Sequence, residues 1–306
     1  MINRILVLSI TIIFTQLLSA QDYVDIVKAD YATVFGAGFE NNDSADTNVN
    51  LLDIAVTYPI VVSEKLAVIT GVDYNQHGLD LIPNGEGVTL NNITLKAGVA
   101  IKHSEKWSGT YLFLPKIASQ ELHTDGDQFF FGGLALLKYQ KSKRMQYRIG
   151  AYASSEGFGV IMTPVIGLYY LNESETWEVT ANLPINADIN YRFNTAVAVG
   201  FGFQAPVRSY SLKREDNIPD LYTQVSSIEA GPYVQHSFLE KSVLVRLQAG
   251  YSSVSYEVFQ EGDTLPIRLS AIEFGDDRNL LNPEMTGNLF VRVGATYRFH
   301  LNKKKD

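Results

Sequence analysis

Five histidines (His77, His103, His123, His236, His300) and no cysteine are what this chain offers for nucleophilic or metal chemistry. A nucleophile needs a base within hydrogen-bond reach and a third group to orient it. His77 and His123 fall near long polar connections, where Ser119, Asp125 or Asp127 would be their partners at a surface site. No spacing joins a serine, a histidine and an acid, so solvated loop histidines and no catalytic residue are expected. Residues 41–48, Asn-Asn-Asp-Ser-Ala-Asp-Thr-Asn, carry enough oxygen atoms to hold Ca²⁺ but lack the glycine and closing glutamate of an EF-hand loop. They read as an exposed polar loop, with no metal and no cofactor. The missing cysteines rule out disulfides and a cysteine-linked lipid anchor. With 25 Lys and Arg against 33 Asp and Glu, net charge −8, a nucleic-acid partner is disfavoured. Lys303-Lys304-Lys305 is too short for anionic lipid or nucleic acid and reads as a solvated tail.

The charged residues fall into a pattern that points to the elements carrying them. Leu289, Val291, Val293, Ala295, Tyr297 and Phe299 share one face of an extended segment, and Arg292, Gly294, Thr296, Arg298 and His300 share the other. Only Phe290 breaks the polar set. Successive side chains of a strand point to opposite sides, so such a segment has one apolar and one wet wall. Ile93 to Ile101, Val243 to Tyr251, Trp177 to Leu183, Ile189 to Phe193 and Leu52 to Tyr58 repeat the alternation. Lys96, Arg148, Glu178, Arg192, Glu229, Arg246 and Arg292 lie on the polar faces and are the candidate lumen-lining residues, with Asp53, Asp73 and Asp188 among them. Ions away from bulk water need pairing or hydration, and a polar barrel interior supplies both.

About 14 strands are expected, with 12 as the fallback. Every second connection is short, as at residues 63–65, 104–106, 141–144, 172–175, 194–195 and 240–241. The intervening ones are mostly long and polar: 41–48, 78–87, 119–127, 205–221 and 260–285. This sorting is expected of an up-and-down transmembrane barrel and not of a Greek-key sandwich. Trp107, Trp177, Tyr191, Tyr297 and Phe299 sit near the short turns or the chain end, as an interfacial aromatic girdle would. Mid-strand glycines such as Gly98, Gly150 and Gly294 read as points where the sheet curls. The loop 260–285, with a short apolar piece from Ile267 to Phe274, is expected to be extracellular with its own short hairpin; folding into the lumen as a constriction is the other reading. Residues 1–20 (Arg4, an apolar run from Ile5 to Leu18, then Ser19-Ala20) read as a cleaved signal peptide, leaving 21–306 as one barrel domain.

Residues 293–301, Val-Gly-Ala-Thr-Tyr-Arg-Phe-His-Leu, resemble the C-terminal assembly signal of outer-membrane barrels, with Phe299 as its aromatic and a tail running past it. The run 114–119 (Leu-Pro-Lys-Ile-Ala-Ser), Trp177-Glu178-Val179 leading into Leu183-Pro184, and Tyr191-Arg192-Phe193 resemble a family of outer-membrane β-barrel proteins of unknown function from the Bacteroidota. The resemblance implies an all-β barrel in the outer membrane and no chemistry. The expected function is a pore, a transport barrel or a structural membrane component, with outer-membrane lipids and the barrel-assembly machinery as partners. The rival readings are an outer-membrane hydrolase or lipid-modifying enzyme with its site at the extracellular rim, and a secreted soluble β-sandwich.

Overall fold

The computed structural model describes residues 23–121, 128–212 and 220–300. The signal-peptide reading, His123, Asp125, Asp127 and the Lys303–Lys305 tail lie outside the described residues.

Fourteen strands close into one antiparallel ring. Eleven follow in succession: β1 (Tyr23–Phe39), β2 (Asn42–Ser63), β3 (Leu66–Asp80), β4 (Gly87–Lys102), β5 (Trp107–Ser119), β6 (Phe129–Ser142), β7 (Met145–Glu156), β8 (Gly159–Leu171), β9 (Trp177–Leu183), β10 (Asn186–Arg192) and β11 (Val197–Gln204). The next connection holds two inner strands, β12 (Val207–Ser211) and β13 (Leu221–Ser226), before the ring resumes with β14 (Glu229–Phe238) and β15 (Val243–Ser252). A second long connection holds β16 (Tyr256–Gln260), β17 (Ile267–Leu269), β18 (Ile272–Phe274) and β19 (Met285–Thr286). Finally β20 (Asn288–His300) pairs with β15 on one side and with β1 on the other. At that seam Tyr23 faces His300 and Val34 faces Phe290, with one register shift between Asp25 and Val27. Closure leaves no open edge along the seam, which is what allows strands to cross a bilayer.

The outward parity is apolar all the way round. Val160, Ile166, Leu289, Ile149, Leu247 and Phe131 are among the large side chains exposed on it, Ile166 at 69%. A soluble monomer seldom exposes more than a few hundred Å² of contiguous apolar surface, and a complete belt of it needs lipid. The inward parity splits into two zones. Toward the short turns it carries paired ions and amides. Toward the long connections an apolar cluster of Ala32, Val34, Val49, Leu51, Leu90, Ala118, Phe130 and Phe290 joins the buried polar side chains.

That cluster is completed from inside the ring. β12, β13 and β16 form a small antiparallel sheet, with Val207 opposite Ser226 and Tyr222 opposite Phe259. Tyr210, Val225, Tyr256 and Val258 from this sheet pack into the cluster. Asn282 fastens the sheet by accepting from Val258 N (2.8 Å) and donating to Tyr256 O (2.8 Å) and Leu81 O (3.2 Å).

Two expectations are corrected here. Residues 41–48 are not a loop: a tight turn at Asn41 (φ 62°) leads straight into β2, and their amides serve the strand pair, Asn48 accepting from Gly36 N at 3.0 Å. The connection 260–285 does contain a short hairpin, formed by its apolar piece at 267–274, but it is not a free extracellular loop. Arg268 is 1% exposed and faces inward, because β17 lies alongside β8 in the line of the wall. The physical reason is the free edge of β8 described below.

Candidate pore and its plug

The candidate lumen residues sit on inward-facing strand positions and are tied across the wall. On the short-turn side, Arg192 bonds Glu178, and Glu178 also accepts from Tyr23 OH at 2.6 Å. Arg298 meets Asp25 at 2.7 Å. Arg246 meets Asp188 at 2.6 Å while its guanidinium lies 3.6 Å from the centre of the Tyr233 ring. Lys96 bridges Asp73 (2.6 Å) and Thr57 (2.9 Å). Arg148 donates to Asn182 and Gln146 at 3.1 and 3.0 Å. Arg292 bonds Glu229, which also accepts from Gln204 at 2.6 Å. Each of these cations has a carboxylate or amide partner. The lumen therefore presents alternating, locally neutralised charge instead of a field of one sign, and long-range steering of an ionic solute is weak.

Several of the residues that close the other half escaped the sequence reading. Lys116 on β5 pairs with Glu156 on β7, and Glu156 accepts both N–H and Oγ–H of Ser209 on β12 at 2.9 Å. Ser209 Oγ in turn accepts from Gly157 N at 2.6 Å. His77 lies buried on β3, bonded to Tyr256 OH at 2.9 Å and tilted against the Tyr210 ring. It therefore is not a solvated loop residue and is held away from any rim site. Ser119, also buried, donates to Glu121 O at 2.6 Å. The signal for this plug was present in Phe290, the one apolar residue on the polar face of β20, and in the matching Val34 and Leu51 of β1 and β2.

Arg268 and Arg278 anchor the second long connection. Arg278 donates to Tyr222 OH and Gln224 Oε1, both at 3.0 Å, and Gln224 donates to Glu273 and Glu257. In this outer loop the Arg278 guanidinium hydrogen-bonds the Asp276 carboxyl and holds its pKa down at about 2.

The girdle candidates cluster near the short turns. Trp107 packs on Tyr139 (5.1 Å between ring centres), and Trp177 on Tyr191 (4.9 Å), which meets Phe193 edge-on. Tyr297 and Phe299 are exposed on the last strand, 48% and 39%. Among the described residues no group of three or more His, Asp or Glu side chains is placed to hold a metal ion.

With this geometry in hand, residues 81–298 match the family described as Domain of unknown function (DUF6268). The chain belongs to the DUF6268 family. No curated protein sequence matches it. Among solved structures it is similar to an outer membrane channel, COG4313, from Pseudomonas putida F1, at 9% identity and TM-score 0.42, covering 89% of this chain and 93% of that one. It is also similar to the NanC porin (8%, TM-score 0.36, 89% and 98%) and to the CymD monoaromatic hydrocarbon channel (11%, TM-score 0.33, 90% and 89%). For this DUF6268 member the barrel assignment stands on its own strand register, closed from β1 to β20.

Proposed function

We propose that this DUF6268 chain is an integral outer-membrane barrel that works as a narrow, plugged pore for transport, with no catalytic role for the residues described. The observation that carries the reading is the pairing of an apolar outer belt with a polar, ion-paired interior that the chain's own inner sheet obstructs. Fourteen strands leave a narrower bore than the ~16–18 strands of open porins, and the inner sheet narrows it further. Insertion through the barrel-assembly machinery, contact with outer-membrane lipids and a Bacteroidota source belong to the same proposal; the C-terminal motif ending in Phe299 supports the first, and the motif resemblance supports the last.

Planar-bilayer recording tests it. The purified barrel is expected to pass small, discrete currents with weak ion selectivity. Tyr210→Ala combined with Tyr256→Ala, which thins the plug, is expected to pass larger ones. Silence from both proteins would remove the pore reading.

A further inference from the structure

The wall of this barrel is not of even height. Strands β1 to β8 run from 12 to 22 residues, whereas β9 and β10 have 7 each and β11 has 8. Seven residues at ~3.3 Å rise and ~45° tilt cover roughly 16 Å of depth, short of the ~25 Å apolar band of such barrels. All of the deficit lies at the long-loop end. β9 pairs with β8 only from Ile166 to Leu171, so β8 above Ile166 has lost its wall partner. Its outward side chains there, Val160 and Met162, are 64% and 51% exposed and apolar, so the gap lies at lipid depth.

The β17–β18 hairpin stands in this gap. Arg268 and Leu269 lie in parallel register with Ile161 and Met162. Leu265 N donates to Phe158 O at 2.9 Å and Ser270 N to Met162 O at 3.0 Å. The hairpin has a lipid face and an inner face. Leu269, Ile272 and Phe274 are exposed outward, and Arg268 and Glu273 pair across it on the inside at 2.5 Å. Its hold is slight: two residues in register with β8, against twelve between β7 and β8. Among the described residues no strand pairs with the far edge of β18. The piece is bounded by Gly262 (φ 92°) and Gly275 (φ 66°), backbone conformations at which glycine turns freely. Directly behind it lies a second apolar cluster, Phe158, Ile161, Tyr222, Phe259 and Leu265. On the other side of β8 from the hairpin, a groove of about 590 Å³ on the outer wall starts at Met162 and crosses Ala153, Ala135, Phe113 and Ala97.

We infer that the β17–β18 hairpin is a movable stave, and that the gap it fills is a side portal through which a small, uncharged apolar solute passes between the lumen and the hydrocarbon of the bilayer. The inference rests on the pore reading for its entry route. An apolar solute meets aromatic and aliphatic side chains behind the hairpin and on its exposed face, so leaving sideways spares it the aqueous, ion-paired half of the lumen. The Arg268–Glu273 pair is internal to the hairpin and moves with it. The links that hold the hairpin shut from within are Gln224 to Glu273 (2.9 Å), Arg278 to Glu273 (3.4 Å), Arg268 to Ser226 Oγ (3.2 Å) and the Arg268 guanidinium over the Phe158 ring (4.7 Å).

The chain has no cysteine, so a designed disulfide stands alone. Met162→Cys with Leu269→Cys places two thiols on neighbouring strands in register, within bonding reach. The probe is N-phenyl-1-naphthylamine, which fluoresces on entering hydrocarbon, added to Gram-negative cells displaying the full chain. Oxidation is expected to slow uptake severalfold, because the locked hairpin cannot swing aside, and reductant to restore it, while the planar-bilayer current of the same protein stays unchanged. Ala153→Cys with Met162→Cys ties two strands that remain together and is expected to leave uptake unaltered. Glu273→Gln, which loosens the inner links, is expected to raise uptake. Equal uptake by the oxidised and reduced pair, or uptake no greater than in cells without the chain, overturns the portal. A lock that stops current and uptake together would make the hairpin an axial gate and also overturns it. Absence of current with redox-dependent uptake intact would instead remove the aqueous pore and leave the portal standing.

Discussion

Arg292 and Glu229 show what single residues do in this lumen. Both are buried, and each is the other's charge partner. Removing one partner leaves an uncompensated ion, so Arg292→Ala is expected to cost about 3–5 kcal/mol. Urea unfolding in vesicles, followed through Trp107 and Trp177 fluorescence, reads this. Arg292→Met with Glu229→Leu should recover most of the loss, since an apolar pair needs no solvation. Asp276 behaves differently because it lies in the outer loop. Its folded pKa, about 2, is depressed below the ordinary 3.8 by Arg278. A depressed acid contributes stability that is complete above its unfolded pKa and is lost as pH falls through its folded one. Amide protection at residues 276–278 should therefore hold at pH 5 and disappear between about pH 4 and pH 2. Asp276→Asn should abolish that pH dependence.

Elements set a different constraint, that of curvature. At Gly98 a Cβ would stand 2.0 Å from Tyr111 O on the next strand. No neighbouring side chain can yield there, because the obstacle is backbone. Gly98→Val is therefore expected to lower the yield of heat-modifiable, folded barrel on gels, whereas Gly78→Ala, whose Cβ would come no nearer than 4.0 Å to that of Asn50, should leave the ring intact. The inner sheet responds separately. Tyr256→Phe removes the bond to His77 at about 1 kcal/mol, and Tyr256→Ala opens a cavity at about 3–5 kcal/mol. Hydrogen exchange should show loss of protection in β12, β13 and β16 with the wall strands unchanged. The wall was legible in the sequence because a two-residue period and alternating connection lengths are local signals. The inner sheet was not, since β12 and β16 are five residues each and sit in segments that are polar overall. Phe290 was the visible trace, an apolar residue where lumen polarity predicts otherwise. The fate of 267–274 depended on the missing partner of β8, a fact of tertiary structure that no window of sequence contains.

At the scale of the molecule, the ring joins two materials: an ion-paired half that behaves like a wet lumen and a half packed like a small protein core around an apolar cluster and a few buried ion pairs such as Lys116–Glu156. The first tolerates water and the second excludes it. Detergent should be needed to extract the chain from membranes, and boiling should shift its gel migration. Recovery in a soluble fraction would contradict the apolar belt. The short staves β9 to β11 also bear on the lipid itself. A barrel whose greasy height differs from one flank to the other cannot match a flat bilayer all round. The leaflets must thin beside the low flank, or the cylinder must lean toward it, at a fraction of a kcal/mol per Å of mismatch. Either response makes one side of the protein distinct to its lipid neighbours, so copies in the same membrane are expected to meet low flank to low flank, where sharing the deformed lipid costs least.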